Sequence, residues 1–220
     1  MPLLDHFHEP LYPGRCWRSF LANWATRLAD ALTLLVPAEF HVEQACHGGP
    51  RVGIDVTTYE KTAAAAYSIP AVFPDTFEVH VFSTIAGPAL CAAIELVSPG
   101  NKYRLDERRA FATKCASYLH RGISLIIMDI VTNRRANLHN ETMRLMTMDS
   151  RFELPDEPRL YAVAYRPVCR EERSEIDVWT ATFAVGDPLP TMPLRLTGDL
   201  FVPVDFEATY QEACRKRKLA

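Results

Sequence analysis

The fold class of this chain is decided by the stretch Ala92-Ala-Ile-Glu-Leu-Val-Ser-Pro-Gly-Asn-Lys102, which sets one carboxylate, Glu95, inside an apolar strand pattern. A buried ionised side chain without a partner costs several kcal/mol, so we expect Glu95 to be paired, solvated at a sheet edge or bound to a cation. The strand pattern ends at Ser98-Pro99, and the turn that follows carries Lys102. A carboxylate and an ammonium group within reach of one site suit phosphodiester hydrolysis.

Upstream of this stretch, the sequence predicts one helix and two strands. Apolar residues recur at three- and four-residue steps over residues 17–36, which is typical of an amphipathic helix, and a proline ends the pattern. The β-branched run over residues 51–59 follows a Gly-Gly-Pro break and indicates a first strand. Alternation over residues 77–83 indicates a second strand, which we expect to pair antiparallel with a third over residues 90–97.

Downstream of the stretch, the pattern changes to a helix, a buried strand and an extension. Asp106 is expected to cap a helix that runs to residue 121 and ends at Gly122. The continuous apolar run over residues 124–131 is typical of a strand that is buried on both faces. The extension is expected to form a helix, a hairpin and a final helix over residues 135–146, 160–169 with 175–183, and 205–216.

The predicted order is therefore helix, three strands, helix, strand. This αβββαβ core is an α/β (α+β) fold in which a mixed sheet is flanked by helices. The core covers about residues 17–131, and the extension with its β-hairpin and helix covers about residues 132–220. At 220 residues with 48% hydrophobic residues, the chain is long enough for one good core, so we expect a single domain over residues 1–220.

Composition and charge argue against several classes of protein. The six cysteines are widely scattered, which argues against a disulfide scaffold or a zinc knuckle. The net charge of -3 gives no global basic field, so a nucleic-acid surface would be a local patch. The candidates for such a patch are Arg104, Arg108, Arg109, Arg121, Arg134 and Arg135. Without a signal-peptide pattern or a run of membrane-spanning length, we expect a soluble, cytoplasmic protein with no membrane partner.

Candidate metal ligands lie on the predicted strands. Residues two apart in a strand share a face, so Glu78 and His80 point the same way, and Asp55 sits between apolar neighbours on the first strand. If the register brings Glu78 or Asp55 beside Glu95, two carboxylates converge and repel unless a divalent cation joins them. Magnesium suits all-oxygen ligands, with manganese as a substitute.

Two lysines are candidates for stabilising charge in such a site. Lys102 follows the strand directly, and Lys114 shares a helix face with Tyr118, one turn away. Each has a structural alternative, because Lys102 would suit a sheet-edge salt bridge and Lys114 would suit a place over its apolar neighbours. Walker loops, Gly-x-Ser-x-Gly elbows and His-Glu-x-x-His helices do not occur in the sequence.

Two related families resemble this chain through residues 94–102, Lys114-x-x-x-Tyr118, Gly122-Ile123 and the apolar strand that reaches Asp129. The closer is an uncharacterised bacterial family, domain of unknown function 4058, which is similar over nearly the whole chain. Three further segments carry that similarity: Met1-Pro-Leu-Leu-Asp-His6, Asn133-Arg-Arg-Ala-Asn-Leu-His139 and Val202-Pro-Val-Asp-Phe-Glu-Ala-Thr-Tyr210. This family has no established function to carry over.

The more distant is the Uma-type restriction-endonuclease-like family, which is similar over residues 95–122 only. This resemblance implies the PD-(D/E)-x-K nuclease fold, with Glu95 as the acid of the (D/E)-x-K half. The preceding acid would be Asp55 or Glu78. The standard lysine position, two residues after the acid, holds Val97 in this chain.

Because Val97 occupies the standard lysine position, two hypotheses about the function of this chain remain. The first is a magnesium-dependent phosphodiesterase that acts on nucleic acid, in which Lys102 or Lys114 supplies the ammonium group from another element. The second is a catalytically inactive binding or interaction module that keeps the nuclease scaffold. In that case the hairpin over residues 160–183 and the C-terminal elements would serve a partner or a homo-oligomer interface.

Overall fold

The computed structural model describes residues 2–47, 75–85, 87–147 and 149–219. Within them, the helices are α1 (Trp17–Leu35), α2 (Leu105–His120), α3 (Leu138–Met146) and α4 (Phe206–Lys216). The strands are β1 (Phe40–His47), β2 (Thr76–Ser83), β3 (Ala89–Leu96), β4 (Ser124–Asp129), β5 (Leu160–Arg170), β6 (Arg173–Phe183), β7 (Thr191–Thr197) and β8 (Leu200–Asp205). The strand predicted over residues 51–59, and Asp55 with it, lies outside the described residues.

One mixed sheet of six strands organises the fold, in the order β1-β2-β3-β4-β5-β6. Neighbouring strands run antiparallel except for β3 and β4, which are parallel and are joined by α2 as a crossover helix. The last two strands, β7 and β8, form a separate hairpin that leads into α4. A mixed sheet with flanking helices and a C-terminal hairpin and helix is confirmed at this level. The predicted hairpin is β5 with β6, which extends the main sheet and does not lie outside it, and the β7–β8 hairpin was not predicted.

The two faces of the sheet carry different helices. On one face, the Trp17 ring of α1 contacts Phe77 of β2 with ring centroids 6.3 Å apart, and α4 packs on α1 through contacts such as Trp24 with Tyr210. On the other face lies α2, whose Lys114 reaches the side chains of β2 and β3. The central strand β4 is buried along its whole length, which confirms the prediction from its apolar run.

Several predicted boundaries are confirmed and others are wrong. The antiparallel pairing of β2 with β3, the hairpin of β5 with β6 and the end of α2 at Gly122, whose φ is +76°, are confirmed. The predicted cap Asp106 lies inside the first turn of α2, because the helix begins at Leu105 and Arg104 is its N-cap. Helix α3 begins at Leu138 instead of residue 135, because the side chain of Asn137 caps it by accepting from the Asn140 amide.

No helix within the described residues is long and apolar enough to cross a lipid bilayer.

Candidate functional site

Two glutamates face each other in the sheet. Glu78 of β2 is the register partner of Glu95 of β3, and side chains of directly opposed residues point to the same face. Both are buried, with 3% of Glu78 and 1% of Glu95 exposed. The convergence of two carboxylates that the sequence raised for Glu78 is therefore present in the structure.

This pairing depends on a β-bulge in β3. Phe82 pairs with Leu90, but Val81 pairs with Ala92, so Cys91 is an extra residue on the β3 side. Continuing the register of Phe82 and Leu90 without the bulge would bring Ile94 opposite Glu78. The single inserted residue thus decides that an acid, and not an isoleucine, faces Glu78.

Lys114 of α2 joins the two carboxylates. Its Nζ lies 2.5 Å from Oε1 of Glu78, and 2.8 Å and 2.9 Å from Oε1 and Oε2 of Glu95. The Lys114 side chain is 25% exposed, whereas the side chains of the two glutamates are nearly inaccessible. The ammonium group therefore lies between both acids and the solvent.

His80 and Tyr118 complete the group around Glu78. Nε2 of His80 lies 2.5 Å from Oε2 of Glu78, and the hydroxyl of Tyr118 donates to the same oxygen over 3.1 Å. Lys114 and Tyr118 share one face of α2, as their spacing predicts. We call Glu78, His80, Glu95, Lys114 and Tyr118 the glutamate–lysine cluster.

The environment drives the pKa values of the two acids apart. Burial raises the pKa of Glu95 to about 8, and the charge of Glu78 adds to this while Lys114 opposes it. Burial also acts to raise the pKa of Glu78, but the hydrogen bond with His80 and the charge of Lys114 outweigh it and lower the pKa to about 2. Of the two acids, Glu95 is therefore the one whose environment favours the protonated form.

Lys114 and Tyr118 keep their ordinary charge states. Burial acts to lower the pKa of Lys114, but the charges of Glu95 and Glu78 outweigh it and raise the pKa above its usual value. Burial and the same two carboxylates raise the pKa of Tyr118. Lys114 is therefore a cation and Tyr118 a neutral hydrogen-bond donor across the physiological range.

Lys102 lies in a different buried pair. Its Nζ donates to Oδ2 of Asp129 over 2.8 Å, and both side chains are almost fully buried. Oδ1 of Asp129 accepts from the Val131 amide over 3.0 Å. Burial raises the pKa of Asp129, although Lys102 opposes the shift. Among the described residues, no hydrogen bond or ion pair joins Lys102 to Glu95.

The residues that follow β3, from Ser98 to Asn101, form a turn that hydrogen bonds stabilise. The amide of Ser98 donates to Oδ1 of Asn101 over 2.8 Å, and Nδ2 of Asn101 donates to the carbonyl of Asp75 over 2.9 Å. A Cβ atom on Gly100 would lie 2.8 Å from Oδ2 of Asp75, so only glycine fits without displacing that carboxylate. Val97 is fully buried in the core. Of the stretch from Ala92 to Lys102, only Glu95 belongs to the cluster.

In the described part of the chain, Glu78 and Glu95 are the two acidic donors that come together. No three His, Cys, Asp or Glu side chains there are placed to hold one metal ion. The two glutamates supply the oxygen donors that magnesium prefers, but Lys114 lies between them. Asp55, the other predicted ligand, lies outside the described residues.

Comparison with known proteins adds no relative to this picture. No protein-family model matches the chain, and searches of curated proteins and of solved structures found no match either. The fold and the cluster together define a mixed α/β protein with a buried pair of glutamates that a lysine bridges.

Proposed function

We propose that this chain is a restriction-endonuclease-like protein that acts as a magnesium-dependent phosphodiesterase on nucleic acid. The observation that carries the proposal is the register pairing of Glu78 with Glu95, with Nζ of Lys114 within 2.9 Å of both. Two acids and a lysine are the residue types that the resemblance to the PD-(D/E)-x-K fold implies. In this proposal Lys114 takes the part of the lysine that is missing at Val97.

Four residues of the cluster have a role in the proposed reaction. Glu78 and Glu95 would hold the cation, which supplies charge neutralisation at the phosphate and a more acidic bound water. Lys114 would turn towards its exposed side and donate to the phosphate oxygens. His80, whose side chain is 18% exposed and which contacts Glu78, holds that carboxylate in place.

The proton on Glu95 links the proposed activity to pH. A carboxylate must be ionised to bind a cation, so binding releases this proton and is favoured as the pH rises. Because the pKa of Glu95 is raised to about 8, we expect the affinity for Mg²⁺ to rise through neutral pH and to level off above this value. A site of two ordinary exposed carboxylates would show no such change in that range.

A second function is favoured by the burial and charge balance of the same residues. Glu78 and Glu95 are almost inaccessible, and Lys114 already compensates their charge as a structural ion pair would. The chain would then be a catalytically inactive binding or interaction module on a nuclease scaffold.

Titration calorimetry with Mg²⁺ and Mn²⁺ separates the two functions. We expect the wild type to bind either ion at about pH 8 and Glu95→Gln to lose roughly tenfold to a hundredfold in affinity. The matched control is Glu39→Gln, because Glu39 is exposed and precedes β1. Equal affinities of wild type and Glu95→Gln would exclude the cluster as the cation site.

Cleavage of labelled DNA and RNA in the presence of Mg²⁺ then tests catalysis. The proposal expects cleavage by the wild type and a loss of about 10² in rate for Lys114→Met, since a charge that stabilises the transition state is removed. Cation binding without cleavage of either substrate would favour the inactive module.

A further inference from the structure

The turn after β3 exposes an aromatic ring that two arginines contact. Tyr103 follows Lys102 directly, and 56% of it is exposed. The guanidinium carbon of Arg104 lies 5.5 Å from the centre of its ring, and that of Arg134 lies 5.3 Å from it. Both distances are typical of cation–π contacts, which hold a guanidinium group against a ring while its N–H donors stay available.

Neither guanidinium group is neutralised by a carboxylate of the described residues. Nη1 of Arg134 donates to the carbonyl of Asn133 over 2.9 Å, and its Nε is buried and makes no hydrogen bond to a described residue. The nearby Arg108 differs, because it lies 3.4 Å from a carboxylate oxygen of Glu141. Arg104 and Arg134 thus carry positive charge that the described fold does not use in ion pairs.

The strand topology places the two arginines at the same end of the sheet, beyond the carboxyl ends of β3 and β4. Strands β3 and β4 are parallel, so the turn that carries Arg104 and the turn that carries Arg134 both follow the carboxyl ends of these strands. Glu95 is the second-last residue of β3 and lies close to the same end. Ligands of open α/β sheets bind at the carboxyl ends of parallel strands.

We propose that Tyr103, Arg104 and Arg134 form a binding surface for single-stranded nucleic acid. Guanidinium groups donate to phosphate oxygens, and their planes stack on unpaired bases together with aromatic rings. A single strand fits better than a duplex, because the net charge of -3 gives no wide basic field and a stacking ring needs an unpaired base. The inference rests on the proposed function for its substrate class, but the binding itself involves no cation.

Fluorescence anisotropy of a labelled thymidine oligonucleotide in EDTA tests this surface. We expect the wild type to bind at low salt and the double variant Arg104→Gln/Arg134→Gln to bind at least tenfold more weakly. The slope of log affinity against log salt concentration should decrease by about 0.7 for each phosphate contact that is lost. Tyr103→Ala should also weaken binding several-fold, whereas Tyr103→Phe should keep it, because the ring is preserved.

The control is Arg173→Gln, which removes an exposed arginine at the tip of the β5–β6 hairpin. We expect it to bind like the wild type. Wild type that fails to bind, a double variant that binds equally well, or tighter binding of a matched duplex would each overturn the proposal. Because EDTA removes divalent cations, a failure of the cluster to bind magnesium leaves this measurement unaffected, so the two proposals fail separately.

Discussion

The sheet face under α2 carries two buried ionic groups that differ in balance and exposure. Lys102 and Asp129 form a one-to-one pair whose side chains are 1% and 0% exposed. The glutamate–lysine cluster has two acids for one lysine, and its Lys114 side chain is 25% exposed. A buried pair with one cation for one acid is already neutral. A group with two acids for one partly exposed lysine is the better candidate for exchanging a proton or a cation with the solvent. The comparison separates a structural lysine from a candidate functional one.

The largest expected effect comes from breaking the closed pair. Lys102→Met leaves the carboxylate of Asp129 buried without a cation, and removing one partner of a buried pair costs about 3–5 kcal/mol. Lys114→Met should destabilise the fold less, because Glu78 keeps His80 and Tyr118 as partners and the raised pKa of Glu95 favours its neutral form. Urea unfolding of both variants measures the difference. A larger loss of stability in Lys114→Met would mean that the cluster, and not the pair, is the structural group.

The pH dependence of stability is the next effect, and Glu95→Gln isolates it. A raised folded-state pKa means that the folded protein binds more protons than the unfolded chain, so stability falls as the pH rises from about 4.5, the ordinary value, to about 8. Glutamine mimics the protonated acid and removes this loss. The stability of Glu95→Gln relative to wild type should therefore increase by up to about 1.4 kcal/mol per pH unit in this window.

Urea unfolding at about pH 5 and about pH 8 checks this expectation. Glu39→Gln again serves as the control, because an exposed glutamate should give the same difference at both pH values. An unchanged difference for Glu95→Gln would mean that Glu95 is ionised in the folded protein throughout this range. That result would remove the proton from the cluster and with it the proposed link between pH and cation affinity.

Much of this comparison follows from the sequence, because periodicity fixes which residues share a face. The two-residue period put Glu78 and His80 together, and the helical period put Lys114 with Tyr118. What periodicity cannot supply is the register between strands. The extra residue at Cys91 places Glu95 opposite Glu78. The sequence of β3 has no alternation of polar and apolar residues that predicts this bulge.

The argument that was applied to Glu95 also predicts that Asp129 needs a cationic partner such as Lys102. Asp129 closes the apolar run that became β4, and a buried acid there needs a cation for the same reason that Glu95 does. Applied to both acids, the rule would have assigned one lysine to each. Proximity in the chain favoured Lys102 for Glu95, whereas the fold pairs it with Asp129 across the crossover.

The sequence analysis does not predict β1 and β7, because the residue patterns of these two strands are not typical of strands. β1 is an edge strand of the sheet in the described residues and mixes polar with apolar residues. β7 alternates well, since Met192, Leu194 and Leu196 are buried, but Pro193 lies in its middle. Proline argues against a central strand, and the two-stranded β7–β8 hairpin tolerates it.

The smallest expected effect compares Tyr118 of the cluster with Tyr161, which is the register partner of Asp129 and hydrogen-bonds with its carboxyl group. Tyr161→Phe removes a fully buried hydroxyl that accepts from the amides of Leu138 and His139 at the start of α3, which leaves both donors unsatisfied. We expect a loss of about 1–3 kcal/mol. Tyr118→Phe removes one hydrogen bond to Glu78, which still has Lys114 and His80, so about 1 kcal/mol or less should be lost.

Thermal and urea unfolding of the two phenylalanine variants measure these losses. The cluster predicts a further difference, because removing the Tyr118 donor also raises the pKa of Glu78 towards its ordinary value. Tyr118→Phe should therefore lose less stability on acidification between about pH 4.5 and about pH 2 than Tyr161→Phe, which leaves Glu78 unchanged, because a smaller lowering of the Glu78 pKa leaves less stability for acid to remove. Equal acid sensitivity of both variants would show that Tyr118 does not hold the charge of Glu78, and the open group would then reduce to its two glutamates, His80 and Lys114.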